Sequence, residues 1–161
     1  MDRKTTTEPK RRMMTSAILQ AGSLWKRAAE KALIDESISV ARANLILWLG
    51  RMGGGVRQVQ LAECVGLASQ SLVRLLDELS ALGLLERRDD PVDRRANTLW
   101  LTPEGEALAD RVEQVLAKLR DRILIDVDAK DIDAVHRVLD VIVERCMEGE
   151  TPRARSSIRA V

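Results

Sequence analysis

"DPVDRRANTLWLTPEG", residues 90–105, sets two adjacent arginines between a turn-forming Asp-Pro pair and a run that alternates polar with apolar. From Asn97 to Thr102, Leu99 and Leu101 fall on one side of an extended chain while Thr98, Trp100 and Thr102 fall on the other, which predicts a short strand. "LLERR", residues 84–88, predicts a second strand. The connection between them, "DDPVDRRA" at 89–96, is longer than a two-residue hairpin turn, so it projects from the strands as a polar finger. Thr102 followed by Pro103 supplies an N-cap and a proline at the first helical position, which starts a helix sharply.

Just before the first strand, residues 56–88 hold two short helical patterns around a tight turn. Val59, Leu61, Ala62 and Val65 suit a helix ended by Gly66. Ser69 is placed to cap the next one, whose apolar face carries Leu72, Leu75, Leu76, Leu79 and Leu82 and which Gly83 closes. Two such helices form a helix-turn-helix, whose second helix can enter a DNA major groove. Upstream, residues 38–52 begin with Ser39 as N-cap and run through an apolar segment to the Gly53-Gly54-Gly55 breaker, which reads as a buried helix followed by a hinge.

Three further stripes repeat at steps of three and four. Met14, Ile18, Ala21, Trp25, Ala28 and Ala32 form one; Leu108, Val112, Val115, Leu119 and Ile123 a second; Ile132, Val135, Leu139, Ile142 and Cys146 a third. One small winged domain cannot bury all three, so a two-fold interface between copies is expected, with Ile18, Trp25, Val115, Leu119, Ile123, Val135, Leu139 and Ile142 in it. The predicted organisation is a polar arm at 1–12, an N-terminal dimerisation helix at 13–37, a winged helix-turn-helix domain at 38–103, C-terminal dimerisation helices at 104–148 and a basic tail at 149–161. Arm and tail would add nonspecific phosphate attraction. The fold class is mainly α with a small β-hairpin wing.

Composition narrows the function. The 161 residues carry 26 Lys and Arg against 25 Asp and Glu, so any nucleic-acid contact must come from local placement instead of bulk charge. Three Trp with no Phe or Tyr leave a core of Leu, Ile, Val and Ala. No run approaches the roughly 18 apolar residues of a membrane span, and residues 1–12 lack the apolar centre of a secretory signal, so a cytoplasmic protein is expected. Cys64 and Cys146 are too few for a disulfide framework or a structural zinc, and Cys64 reads as inert packing. His136, the single histidine, reads as a boundary residue. We expect no metal and no cofactor. The chain holds no nucleophile elbow, and "RMGGGVR", residues 51–57, lacks the Lys-Ser/Thr ending of a phosphate loop, so an enzyme is not expected.

The recognition-helix run "SLVRLLDELSALGLLERR" (71–88) and the wing run at 90–105 resemble the MarR family, and within it the SlyA branch. Asp93 and Arg95 match the family's Asp-x-Arg core, Leu101-Thr102 its Leu-Thr step, and Gly105 its final glycine; the likeness extends from about Leu24 to the helix after Gly105. The resemblance implies a bacterial homodimeric transcriptional regulator, a repressor on pseudo-palindromic double-stranded DNA, released by a small aromatic or phenolic effector. It implies an effector crevice drawn from Trp25, Arg42, Trp48 and Met52. Some relatives use a reactive cysteine in the first helix, where this chain has none.

The residues support the DNA reading directly. A guanidinium keeps its charge and suits a narrow, electronegative minor groove, which makes Arg94 and Arg95 the wing contacts, with Asp93 fixing one of them. Ser69, Gln70, Ser71 and Arg74 occupy the first turns of the recognition helix, where side chains meet base edges or phosphates. Two such helices in a dimer would lie roughly 10 bp apart. The alternative is a winged-helix protein-interaction module without sequence-specific DNA binding.

Overall fold

The computed structural model describes residues 3–66, 69–93 and 96–148. In chain order these form helix α1 (Arg3–Ala32), a 3-10 turn (Ile34–Glu36), α2 (Val40–Arg51), strand β1 (Val56–Arg57), α3 (Gln58–Val65), α4 (Ser69–Ala81), β2 (Leu85–Asp89), β3 (Asn97–Leu101), α5 (Pro103–Ile123) and α6 (Ala129–Glu148). The mainly helical class with a small winged sheet is as expected.

The core sits where α2, α4, α5 and the sheet meet. Helix α2 buries Ala43, Leu45, Ile46 and Leu49, and its start is set by Ser39, whose hydroxyl accepts from the Arg42 amide. Helix α4 buries Leu72, Leu75, Leu76 and Leu79, a spacing that leaves its other face to solvent. It ends as predicted at Gly83 (φ 70°): the Gly83 amide donates to Ser80 O at 3.0 Å and the Leu84 amide to Leu79 O at 3.0 Å, a Schellman closure. Leu82 lies past that end, exposed instead of on the apolar face, and Val59 of α3 is likewise exposed while Leu61 is buried. Ser69, expected to cap α4, is itself helical.

The sheet has three antiparallel strands in the order β1-β3-β2; β1, two residues long, was not foreseen. Val56 pairs with Leu99, and Leu85 with Leu101, so these four apolar side chains share the inward face. On the outward face Trp100 rests on Gly54 and Gly55, whose φ values are 79° and 68°. A Cβ at Gly54 would stand 2.5 Å from the indole. The glycines predicted as a hinge therefore form the seat of a tryptophan. Thr98 is buried beside Trp100, its hydroxyl accepting from Trp100 Nε1 (2.9 Å) and donating to Arg88 O (3.2 Å).

Two other expectations need correction. Helix α1 starts at Arg3, so the arm expected at 1–12 is largely helical: Glu8, Lys10, Arg11 and Arg12 are helix formers, and the helix runs through Pro9 in spite of its missing N–H. Leu119, assigned to an interface between copies, is 4% exposed inside the chain's own core. The other stripes divide. Trp25 and Val115 pack partly on the core and Ile18 is half-buried, whereas Ile123 and Val135 are exposed and Leu139 and Ile142 half-buried. Along α6, residues 129–146 include no buried residue.

The joint between wing and α5 is the tightest in the molecule. Thr102 Oγ1 accepts from the Gly105 amide (3.1 Å), capping α5, and donates to Gly83 O (2.7 Å), while the Thr102 amide donates to Leu84 O at 3.2 Å. A Cβ at Gly105 would stand 2.0 Å from Leu84 O, a backbone atom that cannot swing aside. Gly105→Ala should lower the unfolding free energy by about 3 kcal/mol, the upper part of the overpacking range. Thr102→Val, which keeps the shape and removes the cap, should cost about 1 kcal/mol. Urea unfolding of both variants measures this, and a Gly105→Ala protein as stable as wild type would show the joint to be slack.

Candidate nucleic-acid interface

Recognition by a helix needs a polar face that the core does not claim. On α4 that face carries Ser69, Gln70, Ser71, Val73, Arg74 and Asp77, all exposed, so four of the predicted DNA contacts lie together on one helix. Asp93, also predicted, is exposed at the wing; its amide donates to Asp90 Oδ1 (3.1 Å) and its carbonyl accepts from the Ala96 amide (2.9 Å). Arg94 and Arg95 lie outside the described residues, as does the tail 149–161.

The wing is held by a residue that sequence reasoning missed. Asp90 is 6% exposed. Its Oδ2 accepts from Arg57 Nε of β1 at 2.7 Å, its Oδ1 from the Val92 amide at 2.8 Å as well as from Asp93, and its own amide donates to Ala96 O at 3.0 Å. One carboxylate thus turns the chain into the finger and ties it to the far strand of the sheet. The Arg57 hydrogen bond, followed by the two amides, holds the Asp90 carboxyl down to about 2 from an ordinary 3.8, and the same bond raises the Arg57 guanidinium. The available signal was the Asp-Pro turn itself, since Asp at such a position accepts amides two residues on. Its partner Arg57 lies 33 residues upstream, beyond any local pattern.

Above the sheet, the Arg88 guanidinium lies 4.6 Å from the Trp100 ring centroid and pairs with Glu86. Arg87 Nη2 donates to Asp77 Oδ1 at 2.6 Å, joining β2 to α4. Glu78 accepts from two arginines at once: Arg42 Nε of α2 on Oε2 (2.9 Å) and Arg74 Nη1 on Oε1 (2.7 Å).

Arg42, expected in an effector crevice, makes that bond to Glu78. A crevice of about 320 Å³ does lie between α1, α2 and α5, lined by Trp25, Ala29, Leu33, Leu47 and Leu116, with Lys26 and Asn44 as polar members. Of the four expected residues only Trp25 lines it. Trp48 stands 6.0 Å from the Arg51 guanidinium and packs with Met52 at the edge of the core. Cys64 is half-buried, and burial, with Glu63 beside it, raises its thiol. Cys146 is exposed. No helix among the described residues is long and apolar enough to cross a membrane.

A winged sheet, a solvent-facing polar helix and an aspartate-anchored finger match known proteins. The model of the MarR family matches residues 37–96, from the entry to α2 through the wing loop. Over those residues the chain is similar to the MarR family. Its fold is similar to that of CouR from Rhodococcus jostii RHA1 bound to p-coumaroyl-CoA, at 27% identity and TM-score 0.73 over 81% of this chain and 91% of that one. CouR bound to a 23-mer DNA duplex aligns at 26% identity and TM-score 0.70, over 78% of this chain and 89% of the other. A cysteine-to-serine mutant of MarR from E. coli, complexed with operator DNA, shares the fold at 20% identity and TM-score 0.71, over 88% of this chain and 99% of that one. The fold is thus a winged helix, shared with CouR and MarR.

The sign of the Asp90 shift fixes a pH window. Its folded-state value lies below its unfolded one, so its contribution to stability is complete above about 4 and is lost as pH falls through about 2. A carboxyl carbon-13 titration should place Asp90 near 2. In Asp90→Ala at neutral pH the Val92 and Asp93 amides should exchange about tenfold faster or more, because the anchor that protects them is gone. Unchanged exchange there would show that the finger holds itself.

Proposed function

We propose that this chain is a MarR-family transcriptional regulator, a homodimeric repressor that binds a pseudo-palindromic operator in the cytoplasm, on the nucleoid. It inserts α4 into the major groove and the wing tip into the adjacent minor groove. The observation that carries the reading is the exposed polar start of α4, with Ser69, Gln70, Ser71 and Arg74 on one face, beside a wing whose root is fixed by Asp90. Arg94 and Arg95 follow Asp93 in the sequence; a guanidinium suits a narrow minor groove, and Asp93 and Arg95 keep the family's Asp-x-Arg pattern. The Ser71-Leu72-Val73-Arg74 run supports a place in the SlyA branch.

Dimerisation is supported by what the single chain leaves uncovered. Leu19, Leu24, Ile123, Ile125, Val135, Val138 and Val141 are exposed along α1, the end of α5 and α6, apolar surface of the kind a two-fold interface covers. CouR and MarR have been seen on DNA, and CouR on p-coumaroyl-CoA. By analogy a small aromatic or phenolic effector seats in the crevice against Trp25 and releases the operator, with Lys26 and Asn44 as its polar partners.

The test is a selection of genomic fragments by purified protein at near-physiological salt. Wild type should recover a shared pseudo-palindrome, and Arg94→Ala/Arg95→Ala should bind it at least about tenfold more weakly, each lost contact being worth about 1–3 kcal/mol. Capture indifferent to sequence in both proteins would reject DNA regulation and favour a protein partner. Sedimentation should show a dimer, and Leu139→Asp/Ile142→Asp a monomer with weakened operator binding; a monomeric wild type would reject the two-fold arrangement.

A further inference from the structure

Recognition helices that approach DNA seldom carry acidic residues on the approaching side, because a carboxylate near phosphate is repelled. Helix α4 carries two, Asp77 and Glu78, and the scaffold holds both: Arg87 of β2 takes Asp77, and Arg42 of α2 takes Glu78. Glu78 differs in having a second partner. Its Oε1 accepts from Arg74 Nη1 at 2.7 Å while Oε2 accepts from Arg42 Nε at 2.9 Å, so each oxygen is committed to one arginine. The Glu78 side chain is half-buried, as is Arg42, whereas Arg74 is 71% exposed. The geometry points to Glu78 as a positioning residue for DNA recognition: anchored by Arg42, it holds the Arg74 guanidinium back along α4 and keeps it from random phosphates until an operator aligns the helix.

The physical basis is competition for one guanidinium. An unrestrained arginine on an exposed helix face reaches any phosphate within its length, which raises affinity for all DNA alike and adds about one unit to the salt dependence for each contact. An arginine whose direction is fixed by a carboxylate exchanges that partner for a phosphate or base edge only where the complex as a whole compensates, so restraint favours the operator over other sequences. An exposed i, i+4 pair alone would be a weak restraint. Arg42, arriving from another element 36 residues away, removes the freedom of Glu78 to follow Arg74 outward.

This inference rests on the DNA-binding reading, and its test separates the two. Full-length wild type, Glu78→Gln, Arg74→Ala, the double variant and Arg42→Met are titrated with the selected operator and with a non-operator duplex of the same length, over a salt series. Glu78→Gln should bind the non-operator duplex about three- to tenfold more tightly with a steeper salt dependence, narrowing the operator preference. In the Arg74→Ala background the same substitution should bring no gain, because the arginine it would free is absent. Arg42→Met should also narrow the preference, by loosening Glu78. An equal gain with and without Arg74 would mean that Glu78 acts only through its charge and would overturn the positioning role. An unchanged salt dependence in Glu78→Gln would overturn it as well. An unchanged operator preference in Arg42→Met would overturn the anchoring by Arg42. If wild type itself shows no operator preference, the DNA-binding reading fails, and this inference falls with it.

Discussion

The hydroxyl of Thr102 joins three parts of the molecule at one atom. It accepts from the Gly105 amide in the first turn of α5 and donates to the carbonyl of the glycine that ends α4, while the Thr102 backbone completes the wing by bonding Leu84. The direction of α5 is thereby fixed against the end of the recognition helix and the root of the sheet. Gly105 makes the arrangement possible, since only a residue without a Cβ lets the first turn of α5 lie against the Leu84 carbonyl. From that joint α5 carries Leu108, Ala109, Val112, Leu116 and Leu119 into the core. The relation of recognition helix, wing and long helix is therefore a consequence of backbone contacts at 83–84 and 102–105 more than of side-chain packing.

The wing shows the same economy at its other end. A finger that must present charge to a groove cannot be stabilised by burying its tip, so its order has to come from its root. Asp90 supplies it with two amides and one guanidinium from the opposite edge strand. Trp100, seated on Gly54 and Gly55 and covered by Arg88, stiffens the strands from the outer face. Both devices place a charged or aromatic group where a three-stranded sheet this small has no second layer to pack against.

What was legible in the sequence was local. The Schellman glycine at 83, the Ser39 and Thr102 caps, the Leu72–Leu79 stripe and the alternation at 97–102 each arise from interactions within about five residues, and each appears where it was expected. What was not legible depends on partners far along the chain. Arg57–Asp90, Arg42–Glu78 and the Gly54–Trp100 contact span 33, 36 and 46 residues, and nothing in the spacing of either member announces the other. Arg42 is an instance: beside tryptophans in the sequence it suits an anionic ligand, and in space it bonds a glutamate on α4. The apolar stripe at 108–123 misled in a different way, because periodicity reports that a face is buried without reporting whether the burying surface is the same chain or another.

The near-balance of charge follows from the same contacts. Asp77, Glu78, Glu86 and Asp90 surround the recognition surface, and each is held by an arginine of the scaffold: Arg87, Arg42, Arg88 and Arg57 in turn. A chain that spends arginines on local carboxylates gains little free energy from each exposed pair. It gains fixed directions, and it keeps its general attraction to phosphate low. Under the proposed DNA-binding function, a formal net charge of +1 makes selectivity between sequences depend on few cations at defined positions. The crevice lies one residue away from this network, for Ala41 and Ala43, on either side of Arg42, both line it.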